Sequence, residues 1–426
     1  MREYIQLQIK RLNLRKRHFH LLIGRAFRLA IGGLAALQLL IASILLVIAS
    51  LDKKRKQRVI FPHRQFPDIA VGKNCLQLYC YGQDLYAAML EAIDQAKETI
   101  YIESYIWKDD PAGWDFKVHL AQKAAEGIEV YVIFDSFGNL VVPREFKVFD
   151  PRIHVVEYRG FLRPWSLLDP RRYSLDHRKL LIIDGKISFI GGYNIGSLYA
   201  SSWRDTHLRI AGPFAAEIAQ SFIDFWNRFC PKDQCITKHY HRTFNPLILL
   251  HGNDAMRLTF PIRDMYIEAI QRAETSIKLS NAYFMPDRDL LEALKMAAQR
   301  GVEVSILVPW RSNHVLADWI ARSYFTECLE AGIHVLGYLP AMLHAKTCTI
   351  DGQWSTIGTA NLDRLSSIGN YEINVEIYSD EFAQQMEELF RCDTENVIEL
   401  HLEKWGHRPF YVKFSERILT PLRFIM

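Results

Sequence analysis

The sequence predicts an α/β protein of two homologous halves. Each is a mixed β-sheet flanked by helices, related by a pseudo-twofold axis, and one transmembrane helix precedes them. Three observations carry this expectation. The 426-residue chain repeats itself; apolar, β-branched runs alternate with helical stretches; and a long stretch near the N-terminus has no charge. With 49% hydrophobic and 23% charged residues, composition excludes disordered and collagen-like chains.

Residues 1–28 form a basic tail. Residues 29–51, LAIGGLAALQLLIASILLVIASL, lack any Asp, Glu, Lys or Arg. At about 1.5 Å per residue they are long enough for a hydrocarbon core of about 30 Å. They are too long for a signal-peptide core and have no polar face, so a single membrane helix is expected. Residues 52–71 follow as a linker, opening on the basic run Lys53-Lys54-Arg55-Lys56-Gln57-Arg58 and closing on a proline-containing stretch. Residues 1–70 carry a net charge of +11 and the remainder −7. An acidic body argues against a general nucleic-acid binder, so no nucleic-acid partner is expected. The seven cysteines have no paired CxxC spacing and are expected to be mostly reduced core thiols.

The body divides into 72–245 and 246–400, with a C-terminal extension over 401–426. Four segments recur in the same order: 99–107 with 276–284, 124–135 with 298–309, 153–158 with 333–338, and 177–194 with 344–361. Each half reads strand, helix, strand, loop, strand, hairpin. The helices before Gly127 and Gly301 end on glycine, the residue suited to a left-handed C-terminal position. Two such halves should share one site between them.

That site carries His-x-Lys-x4-Asp twice, at His177, Lys179, Asp184 and at His344, Lys346, Asp351, with Asn194 and Asn361 trailing at equal spacing. In a strand, residues i and i+2 face one side, so each His projects with its Lys. Asp184-Gly185 and Asp351-Gly352 are turn signals. A two-residue turn would set Lys179 opposite Ile190 and Thr359 opposite His344. Glycine near the motif's far end leaves room for a ligand against the backbone. Asp184 and Asp351 complete the motif from the turn end, where they would hold the hairpin by hydrogen bonds.

Two lysines and two amides suit the nonbridging oxygens of a phosphodiester. Of two histidines, one can attack phosphorus while neutral and the other protonate the leaving alkoxide. The lysines supply the positive charge, so neither metal nor cofactor is required. Asp205 and Glu372 follow the two hairpins and are candidates to orient the imidazoles; the alternative is that they are surface carboxylates. The aromatic runs 79–81, 101–107 and 222–229 read as core. Residues 161–165, FLRPW, read as a membrane-facing lip.

The duplicated motif with its trailing Gly and Asn resembles the phospholipase D superfamily over residues 75–400. TIYIESYIWKDD (99–110), EVYVIFDSFG (129–138), DHRKLLIIDGKISFIGGYNIG (176–196) and WRDTHLRIAGP (203–213) are similar to its bacterial cardiolipin synthase branch. Two features depart from that branch: one membrane helix rather than two or none, and Gly358-Thr359 where Gly-Ser is usual. The resemblance implies two phospholipase D-like halves, a phosphohistidine (phosphatidyl-enzyme) intermediate and no metal. It implies His177 as nucleophile and His344 as general acid and base. Phospholipid substrates follow, with phosphatidylglycerol as donor and acceptor, in a protein anchored by a single pass in a bacterial plasma membrane. The alternatives are a hydrolase releasing phosphatidic acid, a nuclease of the same superfamily, and a non-enzymatic membrane scaffold.

Overall fold

A computed structural model describes residues 28, 29, 32–34, 36–45, 47, 63–160, 174–241 and 245–424. In the first half run β1 (Ile69–Val71), β2 (Asn74–Tyr79), β3 (Thr99–Ser104), β4 (Glu129–Asp135), β5 (His154–Tyr158), β6 (Leu180–Ile183), β7 (Ile187–Gly191), β8 (Trp203–Arg204) and β9 (His207–Ala211). The second half holds β10 (Ile248–Asn253), β11 (Ser276–Asn281), β12 (Glu303–Pro309), β13 (His334–Tyr338), β14 (Met342–Leu343), β15 (Lys346–Ile350), β16 (Trp354–Gly358), β17 (Glu372–Tyr378) and β18 (Val397–Leu400).

They form two eight-stranded mixed sheets, ordered β1-β2-β9-β7-β6-β3-β4-β5 and β10-β17-β16-β15-β11-β12-β13-β18. Seven strands correspond in order, so the sequence repeat is a structural repeat. The halves differ at their edges, where β1 extends one sheet and β18 the opposite side of the other. In each sheet the consecutive strands β3-β4-β5 or β11-β12-β13 are parallel, and the motif hairpin adds antiparallel strands.

The central strands read as continuous apolar runs because both faces are covered. Ile100, Ile102, Val130 and Val132 face one buried cluster with the helices Gly82–Asp94 and Pro111–Ala125. Tyr101, Tyr131 and Ile133 face a second cluster that also holds Ile357, Ile373 and Val375 of the other half. That shared core fixes one sheet against the other. Local signals start and stop the helices: Asp110 caps Pro111–Ala125 by accepting from Gly113 N at 3.0 Å, and Asp287 caps Arg288–Gln299 likewise. Gly127 (φ 89°) and Gly301 (φ 93°) follow their ends.

Three expectations need correction. Ile69–Val71, placed in the linker, form β1, because Gly72 (φ 59°) turns the chain so that Val71 pairs with Asn74. The motif hairpins are one residue out of the expected register. Asp184 and Gly185 (φ 55° and 65°) do make the turn, closed by Lys186 N donating to Ile183 O, but Lys186 is an extra residue in the return strand. Leu180, not Lys179, therefore faces Ile190, and Gln353 has the same effect in the second half, where Thr347 faces Ile357. Thr359 is correspondingly not opposite His344.

The described residues between 28 and 47 are helical. Ile41 and Leu45, one turn apart, are buried against the second half, and Gln38 donates to Ile418 O at 3.0 Å. The span expected over 29–51 lies partly outside the described residues. Among those described, no helix is long and apolar enough to cross a membrane. Residues 1–27, the basic run 53–58 and the segment 161–165 also lie outside them. All seven cysteines are free; Cys80, Cys328, Cys348 and Cys392 are buried.

Candidate active site

The two motif histidines are each held by the opposite half. β8 and β14 pair in parallel across the interface, and His344 N donates to Arg204 O. On the other side His177 N donates to Tyr371 O. Each contacted carbonyl belongs to the residue just before a candidate carboxylate. Accordingly Asp205 Oδ2 lies 2.6 Å from His344 Nδ1, and the Glu372 oxygens lie 2.9 and 3.0 Å from His177 Nδ1. All four groups are buried. Facing a carboxyl oxygen, each Nδ1 is the position for the ring proton, which leaves Nε2 its lone pair; Lys346 Nζ also lies 2.8 Å from His344 Nδ1.

Asp205 comes this close because residue 192 is glycine: a Cβ there would sit 2.1 Å from the Asp205 oxygen. This corrects the expectation that glycine makes room for a ligand; it makes room for the carboxylate. Thr359 occupies the equivalent place in the second half, and its hydroxyl donates to Glu372 at 2.6 Å.

Lys179 and Lys346 are buried beside their histidines, each donating to the carbonyl of the His two residues back. Burial above all lowers both histidines: His344 to about 3, with the Lys346 charge adding, and His177 well below its ordinary value, with Lys179 and Lys346 both adding. Lysines of both halves thus act on one centre. The carboxylates diverge. Burial pushes Glu372 up to about 8, against the pull of Lys179. Burial also raises Asp205, but Lys346 and His344 outweigh it and hold Asp205 below the usual carboxylate range.

Burial pushes Lys179 down to about 7 and Lys346 to about 8. As pH rises through these values each ammonium loses its proton, and the empty site loses its attraction for phosphate. kcat/KM, which reports the free enzyme, is expected to fall above neutrality with a midpoint near pH 7–8. A bound anion favours the charged lysines, so kcat should hold to higher pH. A kcat/KM profile flat to about pH 10, near the ordinary lysine value, would contradict this.

The remaining sequence candidates sit as follows. Asp184 accepts from the N–H groups of Lys97, Glu98 and Thr99, and Asp351 from those of Glu274, Thr275 and Ser276. Both tie the turn to the start of the central strand, away from the imidazoles. Asn194 and Asn361 are buried but not equivalent. Asn194 Oδ1 accepts from Ile106 N at 3.1 Å, whereas in the second half Asn281 Oδ1 accepts from Tyr283 N at 3.1 Å. Asn361 Oδ1 consequently has no partner among the described residues.

Aromatic walls escape a reading of the motifs alone. Tyr105, from a run read as core, lies edge-on to His177 with ring centroids 4.8 Å apart, and Lys179 Nζ lies 5.2 Å from its ring centroid. Trp203 packs on His344 at 4.9 Å and Tyr283 at 6.2 Å. Trp203 stands two residues before Asp205, a strand spacing that could have flagged it.

A buried ion pair fixes Asp205. Arg204 makes a two-pronged contact with Asp393 of the other half, at 2.9 and 2.7 Å, and also bonds the Asp205 carbonyl. Asp393→Ala strands a buried guanidinium and is expected to cost about 3 kcal/mol or more. Denaturant unfolding measures this, and a loss under 1 kcal/mol would show the pair to be dispensable.

Comparison with known proteins agrees with this geometry. A family model described as cardiolipin synthase, PLD-like domain, matches residues 89–226 and again 266–394. The chain is 33% identical over 373 residues to a cardiolipin synthase of Listeria welshimeri, covering 82% of this chain and 75% of that protein. It is 33% identical over 380 residues to one from Clostridium perfringens, covering 82% and 77%. The fold is similar to the crystal structure of phosphatidylserine synthase from Haemophilus influenzae, with TM-score 0.62 and 15% identity over 85% of this chain and 95% of that one. The duplicated sheets and the extent of these matches place the chain in the phospholipase D superfamily, within its cardiolipin synthase-like branch of phosphatidyltransferases.

Proposed function

We propose that the protein transfers a phosphatidyl group between two phosphatidylglycerol molecules, forming cardiolipin and glycerol through a phosphohistidine intermediate. The observation that carries this reading is the crossed pairing of each histidine with a carboxylate of the other half, which brings both motifs to one centre.

His177 Nε2 attacks the donor phosphorus, and the bond from phosphorus to the glycerol oxygen breaks. His344, which takes up a second proton at Nε2 as the anionic donor phosphate enters, gives that proton to the departing alkoxide. His344 then takes the proton from the second lipid's hydroxyl. The new O–P bond forms as the P–N bond to His177 breaks. Lys179 and Lys346 hold the nonbridging oxygens throughout, with amides of Asn194 and Asn361 in support. Asp184 and Asp351 keep each hairpin in place. The divergent carboxylates favour this division: ionised Asp205 steadies an imidazolium at His344, while Glu372, pushed towards neutrality, leaves His177 the neutral nucleophile.

Membrane anchoring belongs to the same reading. Its support is the uncharged stretch 29–51 and an exposed apolar face on the described residues: Leu39 (69% exposed), Leu40, Ile44, Phe410 (81%) and Tyr411. Gln38 bonds the helix Phe410–Leu419, which brings the two apolar segments together.

The test is to give the purified protein phosphatidylglycerol labelled in its headgroup and acyl chains. Cardiolipin and free glycerol in equal amounts are expected. Phosphatidic acid alone would replace transfer with hydrolysis.

A further inference from the structure

Beside His344 opens a second feature that the chemistry at phosphorus does not use. A concavity is lined by Tyr283, Val308, Trp310, Asp318, Arg322 and Phe325, among others. Tyr283 joins it to the catalytic centre, since the same ring packs edge-on to His344. The Arg322 guanidinium lies 5.0 Å from the Trp310 ring centroid and 5.2 Å from that of Trp319.

Arg322 makes no hydrogen bond or ion pair with any described residue. The carboxylates near it are engaged elsewhere: Asp318 accepts from Ser312 N at 2.9 Å, and Glu416 pairs with Arg408 at 2.7 Å. Burial above all holds its pKa below the usual arginine value, against the pull of Asp318 and Glu416, while Arg311 and Arg408 add positive charge around it. A half-buried guanidinium beside two indoles, with no hydrogen-bonded carboxylate among the described residues, offers N–H groups that match two oxygens of a phosphodiester.

The side of the site on which it lies identifies the anion. In the proposed reaction, on which this inference rests, His344 deprotonates the acceptor hydroxyl, so the rest of the acceptor extends from the His344 side. When the acceptor is phosphatidylglycerol, its own phosphate stands one glycerol away from that hydroxyl. The donor's leaving glycerol occupies the same place with no phosphate beyond it. We propose that Arg322, beside Trp310 and Trp319, binds the non-reacting phosphate of the acceptor lipid and selects a phospholipid over water or a simple alcohol as acceptor.

The full-length enzyme and its Arg322→Gln and Arg322→Lys variants separate two reactions of one donor. Cardiolipin formation needs the acceptor phosphate; exchange of labelled free glycerol into phosphatidylglycerol does not. Arg322→Gln is expected to lower cardiolipin formation at least tenfold, through KM for the acceptor, while glycerol exchange stays within twofold. Arg322→Lys should lie between, retaining charge but losing the two-pronged guanidinium. Intact glycerol exchange shows that the variants fold and that the donor site works. Equal loss of both reactions, or no loss of either, overturns the assignment. Wild-type protein that exchanges glycerol but never makes cardiolipin would instead sink the proposed function, whatever Arg322 does.

Discussion

His177→Ala is expected to abolish phosphatidyl transfer, lowering kcat by about ten-thousand-fold or more. His344→Ala should be equally damaging with phosphatidylglycerol, because an unprotonated glycerol alkoxide is a poor leaving group. The double variant should be little worse than either single one, since the two act in one cycle. A phosphodiester whose leaving group departs without a proton, such as a p-nitrophenyl ester, separates the roles. His344→Ala should then release one equivalent of nitrophenolate per enzyme and stop at the phosphoenzyme, while His177→Ala releases none. A burst from His177→Ala instead would exchange the two assignments.

The second large effect is at Asp205. Asp205→Asn is expected to lower kcat by about a thousand-fold, because an amide can hold the imidazole in the wrong tautomer and offers no charge to steady the imidazolium. Glu372→Gln should cost far less at neutral pH, about tenfold. Glu372 is pushed up to about 8, so near pH 7 it is largely the neutral acid, which still accepts the His177 Nδ1 proton through its carbonyl oxygen. Above pH 8 the wild-type group ionises and the gap between Glu372→Gln and wild type should widen. Equal losses from the two substitutions at pH 7 would mean that both carboxylates are ionised.

Much of this architecture is legible in the chain. The repeated segments coincide with strands in matching sheet order, and the spacing of His177 with Lys179 and of His344 with Lys346 puts each pair at one end of a motif hairpin. Asp205 and Glu372 stand out by their place after each hairpin. Their crossing does not: the partners are 195 and 139 residues apart, and nothing local records which imidazole each carboxylate meets. The hairpin register is hidden for another reason. Asp-Gly specifies a tight turn, yet the residue after it, Lys186 or Gln353, can join either the turn or the strand. Tyr105 reads as core because it stands in an aromatic run, and Tyr283 carries no motif spacing; only tertiary packing sets them against the histidines.

The crossed carboxylates also set an order in time. During synthesis the N-terminal half emerges first, complete with His177, Lys179 and Asn194, but Glu372 has yet to be made. His344 emerges before Glu372 and depends on Asp205, which has already been made. Neither imidazole is oriented until the chain has passed residue 372 and the two sheets have closed on each other. A chain broken between the halves therefore carries every residue of one motif without the carboxylate that its imidazole pairs with.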